Sequence, residues 1–555
     1  MKYLIKSQII PGLFLIVGLL SSCTSGFEKM NTNPNSPVSV PAINIFTDAQ
    51  QKAIARQMGG WMQHTYLGCW SQQWCRVQYI DEDRYMPRDM STEFQNPYIE
   101  ELKNLTIVID QASGTENNPG LAAAAKIMRT WAFMYITDVW GDIPYTDALQ
   151  GFLIDGTLTP KYDSQASIYA DMDSQLADAV SLLGAPTAQN FGSGDLFYGG
   201  DPAEWAKFGN ALRLRLLNRA AGTPWTFTYN MAGGTQVTTT PGAAALTDAD
   251  SKIATALAGP MMEANTDNCQ LAYPGLPYRN PVFNALYTRT DQAISETMIE
   301  WLQARNDPRI HIYAQPTPNS VDAGTPAYLG FQNGRAITAA PFPEISLLGI
   351  KIAYTETAPL YLMTLDEVEF TKAEYYLRTG NDALAQASYE AGIAASMERW
   401  GLANGGVVHP TWGDGQVGIT VGSDSYPVDY AAYLAGPLVA WGGTNDHKFQ
   451  LICEQRWAAI FGEGVQAYSE IRRTGFPARI FEYELEGAYY PELGLPIRVQ
   501  YALSEETLNA DNLAASKVAQ NIESINEGMF STNGTTSQIW WHTRKNPIPV
   551  VTDVH

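Results

Sequence analysis

Basic charge, histidine, cysteine and long apolar runs are all scarce in this chain. Its 555 residues hold 35 Lys and Arg against 57 Asp and Glu, a formal net charge of −22. That balance argues against tracking a phosphate backbone or docking by charge on anionic lipid, so no nucleic acid is expected as a partner. Five cysteines are far too few for a disulfide framework at this length, and the core must come from apolar burial, for which 45% hydrophobic residues are ample material. The six histidines are scattered. His64, Cys69 and Cys75 fall close together, yet their spacing matches no standard zinc pattern, and neither metal nor cofactor is expected. Catalytic motifs are missing as well: there is no G-x-S-x-G elbow, no H-E-x-x-H and no phosphate-cradling glycine loop, and Gly462-Glu463-Gly464 sits inside a helical pattern. A glycoside hydrolase needs only two carboxylates at a set separation, which 57 acids neither reveal nor exclude, so that alternative stays open.

What is present begins with an export signal. Lys2 and Lys6 form a charged start, Ile9 to Leu20 an apolar run too short to span a bilayer, and Leu20-Ser21-Ser22-Cys23 has the form of a lipobox. Residues 1–22 are read as a lipoprotein signal peptide and Cys23 as the lipidated N-terminus of the mature chain. Two or three acyl chains, palmitate among them, hold a protein on a membrane far better than one. Removing residues 1–22 takes away two lysines and no acids, giving 33 minus 57, or −24. Residues 23–37 are expected to form an extended tether, since their Asn, Pro and Ser content does not continue a helix. Residues 38–555 are expected to form a single domain.

In that domain apolar spacing predicts helices. Asn118-Pro119 opens a segment with Ile127, Met128, Trp131, Met134, Tyr135 and Val139 at helical intervals, stopped by Gly141 and Pro144. Asp201-Pro202-Ala203-Glu204 reads as a capping box ahead of Trp205, Phe208, Leu212 and Leu216, with Arg215 and Arg219 on the other side. Thr364-Leu365-Asp366-Glu367 reads as another, leading into Phe370, Ala373 and Leu377. Gly380-Asn381-Asp382 then turns the chain into a second helix with Tyr389, Ile393, Met397 and Trp400. This pair has about the length of a tetratricopeptide-type hairpin, roughly 34 residues, and needs neighbours to bury its apolar face. The segments at 121–140, 201–220 and 446–474 are the candidates. Long stretches at 223–245, 265–290, 314–345 and 401–443 are rich in Gly, Pro, Thr and aromatics, and irregular insertions on a rigid body are where binding surfaces sit. The expectation is a mainly α helical-repeat scaffold whose insertions form a ligand face.

Aromatic side chains supply the candidate site, with 14 Trp and 29 Tyr. Met62, Tyr66, Trp70 and Trp74 recur every four residues, a stripe that fits either a core face or a binding platform. Tyr79 to Arg88 mixes rings with charged hydrogen-bonding groups, as does Tyr273 to Pro281, and each is either a solvated loop or a binding loop. Sugars suit that mixture, because a sugar's C–H face packs on a ring while its hydroxyls need directional partners. The predicted ligand face comprises Trp70, Trp74, Tyr79, Tyr85, Tyr278, Arg279 and Arg335, the last in a Gly-flanked turn.

The lipobox and Phe27 to Asn35, followed by Trp140-Gly141-Asp142-Ile143-Pro144-Tyr145, Trp205 to Asn218, Asp307-Pro308-Arg309 and Glu369 to Arg378, make an ordered set of motifs. Glu454-Gln455-Arg456-Trp457, Gln466-Ala467-Tyr468, Ile471 to Pro477, Pro496 to Tyr501 and Trp540-Trp541 complete it. Together they resemble the SusD/RagB family of outer-membrane nutrient-binding lipoproteins, in its second sequence branch. Ala502 stands where the family pattern has a final Pro. The resemblance implies a non-catalytic, lipid-anchored protein on the outside of the outer membrane. In this role it would capture a glycan, or alternatively a peptide, as a lid on a TonB-dependent SusC-like transporter. Most of these motif residues are scaffold, and ligand residues in the family vary with the ligand.

Overall fold

Helices carry the fold where the 3.6-residue spacing predicted them. The computed structural model describes residues 40–151, 155–230, 236–239, 241–335, 342–413, 419–420, 425–481 and 488–545. The export signal, Cys23 and the tether up to residue 37 lie outside the described residues.

The first layers are α1 (Ala42–Gln57), α2 (Lys103–Ser113), α3 (Pro119–Trp140), α4 (Gln165–Leu183) and α5 (Pro202–Ala220). In this run α1 packs on α2, α2 on α3, α3 on α4 and α4 on α5. The helix α3 begins as expected: the Asn118 side chain accepts from the Leu121 N–H at 3.1 Å, Pro119 fills the first turn, and Gly141 ends it at φ +82°. It is apolar on nearly all sides and accordingly lies in the middle of the scaffold.

The capping boxes form only in part. Asp201 caps α5 by accepting from the Ala203 N–H at 2.8 Å, but Glu204 turns to Lys207 at 2.9 Å instead of reaching back. At the start of α6 (Leu365–Arg378) Thr364 makes no capping bond. Glu367 is held by Arg215 (Nε to Oε1, 2.6 Å), and Asn268 Oδ1 accepts from the Leu365 N–H at 2.7 Å. The basic side of α5 is therefore buried rather than solvated, with Arg215 on Glu367 and Arg219 on Asp138.

The predicted hairpin is present: α6 packs on α7 (Asp382–Arg399) across a turn at Gly380, φ +82°. The segment near 446–474, read as one helix, is two. Gly462 at φ +87° breaks it into α8 (Asn445–Ala459) and α9 (Gly464–Thr474). At Gly464 a Cβ would sit 2.0 Å from the Gln63 carbonyl oxygen, so glycine is what lets α9 lie directly on the chain at Met62–Trp70.

The family-motif residues act mainly as scaffold. Glu374, fully buried on α6, accepts from Arg473 at 2.6 and 2.7 Å, from Asn218 at 2.9 Å, and pairs with Arg456 at 3.0 Å. These cations hold its carboxyl well below the usual range against the opposing effect of burial. Asp307 grips Arg309, the Tyr501 hydroxyl donates to the Asp142 carbonyl at 2.6 Å, and Trp541 Nε1 donates to Asp138 at 3.0 Å, closing the C-terminal part over α3.

The strands are short pairs that pin insertions to this body. β1 (Trp74–Arg76) pairs antiparallel with β3 (Gln292–Ile294), placing Arg76 opposite Gln292. β2 (Cys269–Leu271) pairs with β4 (Leu360–Met363).

Candidate ligand cleft

The stripe from Met62 to Trp74 does not form one helical face. Its first five residues, Met62–Tyr66, are a π-helical turn, Leu67–Trp70 one α turn, and Trp74 opens β1. Trp70 and Trp74 are both 0% exposed, which corrects their assignment to the ligand face. Trp70 lies against Tyr66, Tyr85 and Tyr468 and donates its indole N–H to the Glu82 carbonyl at 3.0 Å. Tyr85, 2% exposed, joins it in the core, because the loop folds back with Tyr85 at φ +59°. Large aromatic area with one satisfied polar handle is core chemistry.

The remaining predicted residues are at the surface but not all in one place. Tyr79 is 69% exposed and held at φ +55°, a conformation costly for a bulky residue and concentrated at functional sites. Tyr278 is 67% exposed. Arg279 is engaged by Glu356 at 2.7 Å and lies over the Phe283 ring, so it braces its loop. Arg335 is exposed, two residues beyond Asn333, whose amide donates to the Trp74 carbonyl at 2.7 Å and fastens this turn beside β1.

Between these loops lies a cleft of about 200 Å³ where the π-helical turn, β1, β3 and the helix Pro281–Leu286 meet. Trp61, Arg76, Arg289 and the floor residues His64, Asp291 and Gln292 line it. Arg76 ties the parts together: Nη1 donates to Asp291 Oδ2 at 3.1 Å and Nε to the Tyr79 carbonyl at 3.2 Å, with the guanidinium 5.9 Å from the Tyr79 ring. Half-buried Trp61 forms the ridge between this cleft and a second of about 390 Å³ bounded by Arg56, Glu93, Glu100 and Tyr135. The Arg88 guanidinium stands 4.7 Å over the Trp61 ring.

The cleft floor holds unused hydrogen-bonding capacity. Gln292 Oε1 and both ring nitrogens of His64 are buried with no hydrogen-bond partner, and Asp291 Oδ1 has only the Arg289 guanidinium, 3.5 Å away. Burial lowers the His64 pKa to about 4, so its ring is neutral at physiological pH and offers one donor and one acceptor. The Asp291 charge is already balanced by Arg76 at 3.1 Å and Arg289 at 3.5 Å. Two arginines against one carboxylate leave no excess negative charge in the cleft, and the acceptor capacity that remains suits hydroxyl donors.

Trp61, Arg76, Asp291 and Gln292 were missed in the sequence. A signal for Trp61 existed in Gly59-Gly60: a Cβ on Gly59 would meet Pro281 at 2.1 Å, so the glycine brings the 281–286 helix against the ridge. Nothing local marks Asp291 or Gln292, which reach the site only through the pairing of β3 with β1.

Comparison with known proteins bears on the whole chain. Residues 34–502 match the SusD-like_2 family, described as starch-binding and associating with the outer membrane. A search of curated proteins finds no match. A chitin-binding SusD homologue from Flavobacterium johnsoniae shares the fold at TM-score 0.70 and 23% identity, over 90% of this chain and 98% of that one. A SusD homologue from Bacteroides fragilis does so at TM-score 0.68 and 22% identity, over 91% and 100%. A Bacteroidetes SusD-like protein gives TM-score 0.70 at 20% identity, over 91% and 100%. The motif set, the helical scaffold and the match over most of its length agree: this chain belongs to the SusD-like family.

Proposed function

We propose that the protein is a lipid-anchored, non-catalytic receptor on the outer face of the outer membrane. It takes up a glycan in the cleft beside Trp61 and delivers it to a TonB-dependent SusC-like transporter. Residues 1–22 direct export, Cys23 carries the lipid, and residues 38–555 fold as one binding body. The observation that carries the glycan reading is the cleft floor, where Gln292 Oε1 is buried without a hydrogen-bond partner and Asp291 Oδ1 has only the Arg289 guanidinium at 3.5 Å, beside the Arg76–Asp291 pair. Sugar hydroxyls supply the missing donors, and exposed Tyr79 with the Trp61 ridge offers apolar ring surface for the C–H face. A basic peptide would need unbalanced negative charge in the cleft, and Asp291 already has two arginine partners. The chitin-binding character of the Flavobacterium homologue favours carbohydrate as well.

The test is calorimetric titration of the purified protein with neutral oligosaccharides and with basic and apolar peptides, with product analysis after long incubation. Saturable glycan binding without shortened products supports the reading. Peptide binding alone, or release of shorter glycans, overturns it.

A further inference from the structure

We propose that the second cleft, on the far side of Trp61, is a further sugar subsite, so that the ligand is a neutral oligosaccharide chain crossing the ridge rather than one sugar held in the first cleft. This rests on the reading of the first cleft as a carbohydrate site and extends it to the length of chain the protein takes.

Size points across the ridge. The first cleft, about 200 Å³, falls short of the roughly 300–1,000 Å³ common for small-molecule sites, while the second, about 390 Å³, lies within that range. Gly60 and Trp61 belong to the walls of both, so a chain leaving one enters the other. At Gly60 a Cβ would stand 2.0 Å from the Arg56 carbonyl oxygen, and glycine thereby allows the tight exit from α1 that leaves Trp61 between the clefts.

The second cleft also offers open polar groups. Glu93, from the helix Ser91–Asn96, and Tyr135, from α3, both line it. Half-buried Glu93 has no hydrogen bond or ion pair among the described residues, and the Tyr135 hydroxyl has no hydrogen bond. Tyr135 keeps 7% of its surface open. A carboxylate accepts from hydroxyls and a phenol both donates and accepts, so the two suit a further sugar unit. On the ridge itself, exposed Arg88 stands 4.7 Å over the Trp61 ring and gives one N–H to Glu82 at 2.8 Å, leaving others for the unit that crosses.

Charge selects a neutral chain. Across the two clefts the lining cations are Lys52, Arg56, Arg76 and Arg289, and the lining carboxylates Glu93, Glu100 and Asp291. Every one of these cations already has a carboxylate beside it: Asp48 at 2.8 Å from Lys52, Glu100 on Arg56, and Asp291 at 3.1 Å from Arg76 and 3.5 Å from Arg289. His64 adds no charge at physiological pH. A polyanion would meet Glu93 and Glu100, a polycation the arginines of the first cleft, and either would lose water from charges that find no match along the path.

The experiment measures cellobiose, cellohexaose, maltose and maltohexaose by calorimetry on the wild type, Tyr79→Ala, Glu93→Gln and Tyr135→Phe, with thermal melts to show that each variant is folded. Glu93→Gln keeps the side chain's shape, and Tyr135→Phe keeps its ring in α3. In each series that binds, the hexamer should bind about tenfold or more tighter than its dimer. Its affinity should fall about threefold or more from both sides of the ridge, in Tyr79→Ala on one and in Glu93→Gln or Tyr135→Phe on the other. Equal affinities for dimer and hexamer would overturn the extended site and leave the first cleft standing. So would a hexamer weakened from one side of the ridge only. Binding in neither series would also overturn it, and a peptide bound in their place would remove the reading beneath it as well.

Discussion

Trp70→Ala and Tyr79→Ala should separate folding from binding within a ten-residue stretch. Trp70 is wholly enclosed, with the Tyr66 ring at 4.4 Å, Tyr468 at 5.4 Å and Tyr85 at 5.9 Å, and its indole N–H satisfies the Glu82 carbonyl. Truncation removes that area, opens a cavity the surrounding rings cannot fill, and leaves the Glu82 carbonyl with only the Tyr85 N–H as donor. The cost expected for such a site is about 3–5 kcal/mol of stability. Tyr79 stands in solvent at φ +55°, so Tyr79→Ala should change stability by no more than about 0.5 kcal/mol. If its ring stacks on a sugar, the same change should weaken glycan binding by about 1–3 kcal/mol, the scale of bases stacked on aromatic side chains. Denaturant titration reads the first effect and calorimetry the second, on the same preparations. A Trp70→Ala protein of full stability and lost affinity would refute the placement of the stripe in the core. Unaltered affinity in Tyr79→Ala would remove that ring from the ligand face.

Glu374→Gln should destabilise the fold by about 3–5 kcal/mol, because Arg456 and Arg473 lose a buried counter-charge; denaturant titration measures it. Stability should fall as pH rises from about 5 to 8. Burial raises the pKa of Glu463 and Glu101 to about 8 and of Asp83 to about 7, so the folded state holds protons that the unfolded chain has released, and each group contributes up to about 1.4 kcal/mol per pH unit in its window. Below the usual carboxylate range the sign reverses, since Glu374 and Glu470 have depressed pKa values and their contribution is lost on protonation. Thermal melts across pH should therefore peak near pH 5, and Glu463→Gln should flatten the alkaline side. Cys23→Ala should fold normally yet leave the membrane fraction in cells lacking the partner barrel; continued membrane association there would rule out lipid as the main anchor.

How much of this was legible in the sequence depended on whether a contact is local. The helix α3 was readable because its start, its apolar rows and its Gly141 stop all lie within one segment, and the α6–α7 hairpin for the same reason. Capping at Thr364 was misread because its outcome depends on Asn268 and Arg215, about 100 and 150 residues away. The break at Gly462 was missed because the apolar rhythm continues across it, while the close approach to Gln63 that requires Gly464 is a tertiary fact. In the candidate site, the four-residue spacing suggested one helical face, but the chain there runs through a π-helical turn, an α turn and β1. Tyr79 and Tyr85 share one charged loop and have opposite exposures. The cleft floor was hidden for the most physical of reasons: Asp291 and Gln292 gain their role from strand pairing with Trp74–Arg76, over 200 residues earlier.

The most direct test of the central claim is a crystal structure of the protein with a bound neutral oligosaccharide. Sugar density should lie in the cleft against Trp61, with ring hydroxyls within hydrogen-bonding distance of Asp291 Oδ1 and Gln292 Oε1. Density seated elsewhere on the protein, with this cleft holding only water at a saturating ligand concentration, would contradict it.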